Sequence, residues 1–301
     1  MPEGHSIHRL ARQFHDVFGG RRLDVSSPQG RFTAGAELLS GHVMVEAVAH
    51  GKQLFLRFDH DLLLHVHLGL YGAWSFGGDS SFTGASSIGA PRRIGERETA
   101  SSGAEVEPGA DVHYAGPPAP VGAVRARLVS DNGWADLRGA TTCAAVTSHE
   151  AEGVLGRLGP DPLRNRPGDR DEFVRRLRRR KTAVALLLMD QSVLAGVGNI
   201  YRAEVLFRQA VDPWTPGNTI DAATAGKLWD DAVLAMSDGV RDGRIVTTPP
   251  ALWTGNGITA PDADAHFVYK REGQPCRACG TLVGVAEIGA RKLYWCPGCQ
   301  V

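Results

Sequence analysis

Cys276-Arg277-Ala278-Cys279 and Cys296-Pro297-Gly298-Cys299 stand sixteen residues apart near the end of the chain. Two Cys-x-x-Cys pairs at this separation supply four thiolates to one tetrahedral Zn2+ ion in a β-ribbon. With sulfur at every position the ion has no open coordination site, so one structural zinc is expected. Metal binding then provides the folding free energy that so short a hairpin cannot draw from a core of its own. Four of the five cysteines fall in the last 26 residues, which speaks for metal and against disulfides. The fifth, Cys143, lies in Thr142-Cys143-Ala144-Ala145-Val146 and reads as a buried strand residue.

Upstream of the ribbon the pattern is helical. Arg175, Arg176, Arg178, Arg179, Arg180 and Lys181 form a basic run before the apolar Ala183–Met189. Then comes Leu194-Ala195-Gly196-Val197-Gly198-Asn199-Ile200-Tyr201, in which glycines before a helix start let backbone N–H groups approach an anion. Asn199 is placed either to cap that helix or to donate to a phosphate oxygen. A further helix is expected near Ala222–Asp238, and Leu158-Gly159-Pro160-Asp161-Pro162 marks a domain boundary.

The first half reads as strands. Leu23–Ser27, His42–His50, Gln53–Asp59, Leu62–Leu68, Tyr71–Phe76, Val124–Ser130 and Trp134–Leu137 are short β runs, and Asp131-Asn132-Gly133 is a hairpin turn. Ile7, Leu10, Ala11, Phe14, Val17 and Phe18 recur at helical spacing ahead of them. The expected fold class is therefore α+β and multidomain, with an N-terminal β-sandwich, a flanking helix, a helical domain and a zinc ribbon. His65 and His67 share a strand face, and a packed pair is favoured over a metal site for want of a third ligand. Residues 77–120 shift to Gly, Ser, Ala and Pro, and read as a flexible insertion.

The chain opens Met1-Pro2-Glu3-Gly4. Removal of Met1 would expose a secondary amine, nucleophilic in its neutral form near neutral pH. Attack on an aldehyde-like carbon gives an iminium that stays cationic and acts as an electron sink. Glu3 sets a carboxyl beside it for proton transfer. An ordinary solvated start is the competing reading. Acidic and basic residues balance at 33 each, so any nucleic-acid face must be a local segregation of charge. No apolar run reaches membrane-spanning length and no signal peptide is seen, which places the chain in the cytoplasm.

Taken together, the Met-Pro-Glu-Gly start, Gly51-Lys52 between strands, Gly196-Val197-Gly198-Asn199, Val268-Tyr269 and Tyr294-Trp295-Cys296-Pro297-Gly298-Cys299 resemble the formamidopyrimidine-DNA glycosylase / endonuclease VIII family. The likeness is strongest to its actinobacterial endonuclease VIII-like branch and spans almost the whole chain. It implies a bifunctional glycosylase and abasic-site lyase that excises oxidised bases from damaged DNA and cuts by β,δ-elimination. The implied domains are a catalytic sandwich (1–148), a helix-two-turn-helix domain (149–262) and a zinc finger (263–301), acting as a monomer. Pro2 matches the Schiff-base nucleophile, Glu3 the assisting acid, Lys52 a phosphate-binding and proton-transferring lysine, and Arg291 the zinc-finger arginine of δ-elimination. Asn199 matches a phosphate ligand, and Leu70-Tyr71 an intercalating loop that fills the gap left by a flipped nucleotide. The chain departs from the family at His5-Ser6, where a second glutamate is usual, and at Leu70, where oxidised-purine enzymes carry Met. It departs also at Arg241–Thr248, the stretch nearest the lesion-binding loop of oxidised-purine enzymes, where two threonines follow a single glycine in place of a pair. The first changes base-pocket contacts; the other two, at the wedge and the loop, favour oxidised pyrimidines, with an oxidised-purine glycosylase as the alternative. A non-catalytic zinc-finger DNA-binding protein is the rival from another class; it would be favoured by loss of Pro2, Glu3, Lys52 or Arg291, and all are present.

Overall fold

The computed structural model describes residues 2–90, 116–255 and 257–301, in two compact units, Met1–Gly156 and Arg157–Val301. The first unit contains α1 (Gly4–Phe18), β1 (Arg22–Ser26), α2 (Thr33–Leu39), β2 (His42–His50), β3 (Gln53–Phe58) and β4 (Leu62–His67). It continues with β5 (Ala73–Gly78), β6 (Ser87–Gly89), β7 (Val124–Val129), β8 (Gly133–Arg138), β9 (Thr142–Thr147) and α3 (Ser148–Leu155). The second holds α4 (Asp169–Arg178), α5 (Val184–Leu187), α6 (Asn199–Arg208), α7 (Ala222–Asp242), β10 (Gly284–Ile288) and β11 (Arg291–Trp295).

In the first unit the strands run β6-β5-β8-β7-β1-β2-β3-β4-β9. β1 belongs to both halves of this ladder: Asp24–Ser26 pair with β7, whereas Arg22 and Leu23 pair with β2. One core is drawn from both halves, with Leu54, Leu56 and Leu64 from one side and Trp74, Leu128 and Leu137 from the other. That is the expected sandwich. α1 closes it, burying Ile7, Leu10, Phe14 and Phe18, and Phe14 meets Trp74 and Phe76 edge-on at 4.8 and 5.1 Å. The hairpin predicted at 131–133 joins β7 to β8, with Ser130 N–H donating to Gly133 O at 2.8 Å.

Three expectations need correction. The flexible insertion does not begin at 77: Gly77 and Gly78 finish β5 opposite Trp134 and Gly133, and Ser87–Gly89 form β6 on its other edge. Gln13 exchanges two hydrogen bonds with the backbone of Ala85, at 2.9 and 2.8 Å. Backbone pairing, which composition does not report, orders this stretch; 91–115 lie outside the described residues. The first boundary also shifts, because Ala151 of α3 packs with Phe55 and Leu63 of the first unit. The ribbon is not a compact unit apart; it belongs to the second unit with the helices. Among the described residues no helix is long and apolar enough to cross a membrane.

The second unit is built around α6, where Tyr201 to Phe207 are all buried. Phe173, Leu177, Leu228, Trp229 and Met236 from α4 and α7 complete its main core. Asp221 caps α7, accepting from Thr224 N–H at 2.9 Å. Within α6 lies Glu204, fully buried. Its carboxylate accepts the successive N–H groups of Phe267, Val268 and Tyr269 at 2.8, 3.0 and 2.8 Å, and the hydroxyl of Thr247. Glu204→Ala would strand these donors, and should lower stability by roughly 3 kcal/mol or more. Urea denaturation of the variant checks this, and a loss under about 1 kcal/mol would contradict it.

Candidate functional site

Pro2 and Glu3 are not a solvated start. Both are buried, Glu3 to zero exposure, and Glu3 is the extended residue that leads into α1, its carbonyl accepting Ser6 N–H at 3.0 Å. The apolar face of α1 anchors the helix in the core and so fixes this end. The first turn contains no acidic residue and instead buries His5 and Ser6, with Ser6 Oγ 3.2 Å from His5 Nε2. Burial, reinforced by the charge of Arg9, holds the His5 imidazole down to about 3.

Lys52 sits with Gly51 in the two-residue connection between His50 and Gln53, the pair that closes the β2–β3 hairpin. Gln53 in turn pairs with His67 on β4. Burial, and then the nearby ammonium of Lys52, lowers the pKa of His67. His65 is a packed residue: its ring stacks on Phe55 at 4.6 Å, and its Nε2 lies 2.8 Å from Gln53 Oε1. Burial drives its pKa to about 4.

Leu70 and Tyr71 are exposed at 44% and 80% and do not pack in the core. They occupy the tight turn between β4 and β5, where Gly72 N–H donates to Leu68 O at 3.0 Å. Gly69 is at φ +67, and a Cβ there would lie 1.9 Å from Thr141 Oγ1. The two apolar side chains are thus held out on a rigid turn.

Asn199 is the first residue of α6, and Gly198, not Asn199, stands at the cap position. Its Nδ2 donates to Lys292 O at 3.0 Å and its Oδ1 accepts from Arg202, which also donates to Lys292 O at 3.1 Å. Lys292 follows Arg291, the first residue of β11. The turn before Arg291 is only Gly289-Ala290, both at positive φ (60° and 55°), as a two-residue hairpin with right-handed strand twist requires. Asn199 is thereby tied to the backbone of the residue that follows Arg291.

The four ribbon sulfurs lie within 4.8 Å of one another, with Cys276–Cys299 at 3.9 Å and Cys279–Cys296 at 3.4 Å. Tetrahedral Zn–S bonds of about 2.3 Å imply S···S separations of about 3.8 Å, so the donor set and its spacing fit a closed metal site. Cys143 is buried on β9, and burial pushes its thiol up to about 12.

Some supporting residues carried no sequence signal. Arg277, inside the first Cys pair, donates to Asp264 Oδ1 and to the carbonyl of Ala263, both at 2.8 Å. Asp264 also accepts from Thr254 N–H at 2.7 Å, and Thr254 foremost with Arg277 holds its carboxyl down to about 2. Thr247 and Thr248, the threonines of the expected lesion-binding loop, are buried, their hydroxyls donating to Glu204 and to Asp264 O.

The depressed imidazoles set a pH dependence. His5 and His65 titrate near 6.5 when unfolded and at about 3 and about 4 when folded. Between those values the unfolded chain binds more protons, so their stabilising contribution is complete above about pH 6.5 and is lost as pH falls toward 4 and 3. Unfolding midpoints should therefore decline from pH 7 to pH 4, and His65→Gln should flatten the slope; a flat wild-type profile would disprove this.

Comparison with known proteins agrees with these features. The sequence profile of the formamidopyrimidine-DNA glycosylase N-terminal domain matches residues 1–116, and that of the formamidopyrimidine-DNA glycosylase H2TH domain matches 158–249. Endonuclease 8 1 of Mycobacterium tuberculosis is 38% identical, with all of both chains aligned. Formamidopyrimidine-DNA glycosylase of Bordetella petrii is 31% identical over 100% of this chain and 99% of its own. In fold, the chain matches the MutM (Fpg) protein of Thermus thermophilus with a TM-score of 0.70 and 24% identity, covering 99% of this chain and 98% of that one. The Lactococcus lactis Fpg in complex with abasic-site DNA gives 0.71 at 18% identity, covering 99% of each. By sequence over its full described length and by fold, the chain belongs to the formamidopyrimidine-DNA glycosylase / endonuclease 8 family of base-excision-repair glycosylases and lyases.

Proposed function

We propose that this chain removes oxidised bases from DNA, pyrimidines in particular, and cleaves the resulting abasic site by β,δ-elimination through a Schiff base on Pro2. The observation that carries the reading is the burial of Pro2 and Glu3 at the fixed head of α1. An incidental N-terminus would be solvated and mobile. With Met1 removed, the Pro2 nitrogen attacks the sugar C1′ and the base departs with the bonding pair, taking up a proton. Glu3 is the carboxyl placed to manage protons at base loss and ring opening. The iminium acidifies the C2′ hydrogen; its removal expels the 3′ phosphate, and a second elimination expels the 5′ phosphate.

Lys52 serves phosphate binding and proton transfer in this scheme, and Arg291 phosphate contact during δ-elimination. An amide carries two N–H donors, and with one of Asn199's on Lys292 O the other serves phosphate. Leu70 and Tyr71 fill the space of the extruded nucleotide, offsetting the few kcal/mol of unstacking. The preference for pyrimidines is supported by Leu70 and by the internal bonding of Thr247 and Thr248, which leaves those hydroxyls committed to the fold. The chain acts as a monomer on damaged DNA in the cytoplasm. Its neutral overall charge means that affinity rests on local phosphate contacts and falls with salt.

Borohydride should trap the protein covalently on an abasic-site oligonucleotide, with mass spectrometry placing the adduct on Pro2. Leu70→Ala with Tyr71→Ala should slow excision from duplex far more than this trapping. An adduct on Lys52, or undiminished trapping when Met1 is retained, overturns the assignment. The ribbon cysteines, in the same reading, hold one structural zinc. Purified protein should contain one zinc per chain, lost with the fold of the ribbon in Cys276→Ser; zinc-free protein that is folded and active would refute it.

A further inference from the structure

Antiparallel pairing brings His42, at the start of β2, beside Asp59 and His60, which follow β3; Asp59 N–H donates to Val43 O at 2.9 Å. His42 Nδ1 lies 2.9 Å from Asp59 Oδ1. His60 Nε2 lies 2.9 Å from Leu38 O. A carbonyl only accepts, so Nε2 carries the His60 proton and, in the neutral ring, Nδ1 carries the lone pair. That Nδ1 is enclosed, has no hydrogen-bond partner, and sits 3.7 Å from Asp59 Oδ1. Two acceptors therefore face each other with nothing positive between them. The rings of His42 and His60 stack at 3.5 Å and 14°.

We propose that His42, Asp59 and His60 form a second metal site, for a divalent transition cation such as Ni2+ or Zn2+. Their ligand atoms lie within 4.8 Å of one another. The ion would take the lone pair of His60 Nδ1, an oxygen of Asp59 and His42 Nδ1, whose proton moves through solvent to Nε2 of the same ring, with water completing the shell. Imidazole and carboxylate donors suit this class of ion, whereas the four thiolates of the ribbon favour softer coordination. The Asp59 carboxylate, which accepts from His42, supplies the anionic ligand. Nitrogen lone pairs lie in the ring plane, so binding requires the stack to splay, which these part-exposed side chains can do by rotation. β2 runs nine residues from His42 to His50, putting the site about 25–30 Å along the hairpin from the Lys52 turn. It is accordingly structural, fastening the β2–β3 hairpin to α2 through the Leu38 carbonyl.

The test uses full-length protein with its ribbon loaded with zinc, titrated with Ni2+ at pH 7.5 by calorimetry, with both metals then measured in the dialysed sample. One Ni2+ per chain should bind while ribbon zinc is retained. His60→Gln should abolish this binding and Asp59→Asn should weaken it at least tenfold, with circular dichroism and abasic-site cleavage unchanged in both. Histidine 15N spectra should show His60 Nδ1 unprotonated before addition and shifted after it. Nickel binding equal in the variants and the wild type, or none in any of them, overturns the proposal. So does a doubly protonated His60 that Ni2+ leaves unchanged, because the missing positive charge is then a proton.

Discussion

A carboxylate removed from water organises the second unit. The segment through Phe267, Val268 and Tyr269 enters the ribbon outside any strand, so its N–H groups find no ladder partner. Glu204 accepts all of them from the centre of α6, and the same group takes the hydroxyl of Thr247. Burying a carboxylate is costly unless its lone pairs are filled, and here they are. The ribbon needs such a fastening, because its own core is small: Val268, Cys276, Val283, Tyr294 and Cys296, closed by Ala203 and Phe207 of α6. Arg277 and Asp264 tie a second knot from inside the first Cys pair to the loop after α7. The result is a hairpin with four clustered cysteines at one end and buried ionic hydrogen bonds at its base.

The first unit meets the complementary demand of fixing a chain terminus, ordinarily the least ordered part of a domain. It does so by lever: Phe14 and Phe18, several turns away, lie deep in the sandwich core and set the axis of α1. The first turn then follows, with Glu3, His5 and Ser6 buried ahead of it. No acidic residue follows Glu3 in that turn, so Glu3 is the carboxyl nearest the positive end of the helix dipole.

Much of this was legible in the sequence, because the signals were local. The Cys-x-x-Cys spacing, the Asp131-Asn132-Gly133 turn and the 3.6-residue pattern from Ile7 to Phe18 each specify their element from within. Interactions that join distant segments left no such mark. Glu204 reads as one more polar residue of a helix until its partners, some sixty positions away, are in view. Ser87–Gly89 lies in a Gly- and Ser-rich stretch whose order comes from the edge of β5 and the amide of Gln13. His42, Asp59 and His60 are separated in sequence by a whole hairpin, and only strand register brings them together.

Asn199 illustrates why site and scaffold cannot be parted here. In the proposed reading it contacts phosphate, yet its amide and the guanidinium of Arg202 converge on the carbonyl of Lys292. That carbonyl belongs to the residue after Arg291, and the turn before Arg291 is too short to absorb a shift. Its second residue, Ala290, is already in the left-handed region, and a side chain at Gly289 would meet Leu186 Cδ2 at 2.7 Å. The start of α6 therefore sets where the arginine at the hairpin tip begins, and a guanidinium must be set to within about half an ångström to pair with a phosphate. In that proposed reading Asn199 serves phosphate by two routes, through its own remaining N–H and through the placement of Arg291. The effects of changing these two residues should be coupled and not additive, because one holds the backbone next to the other.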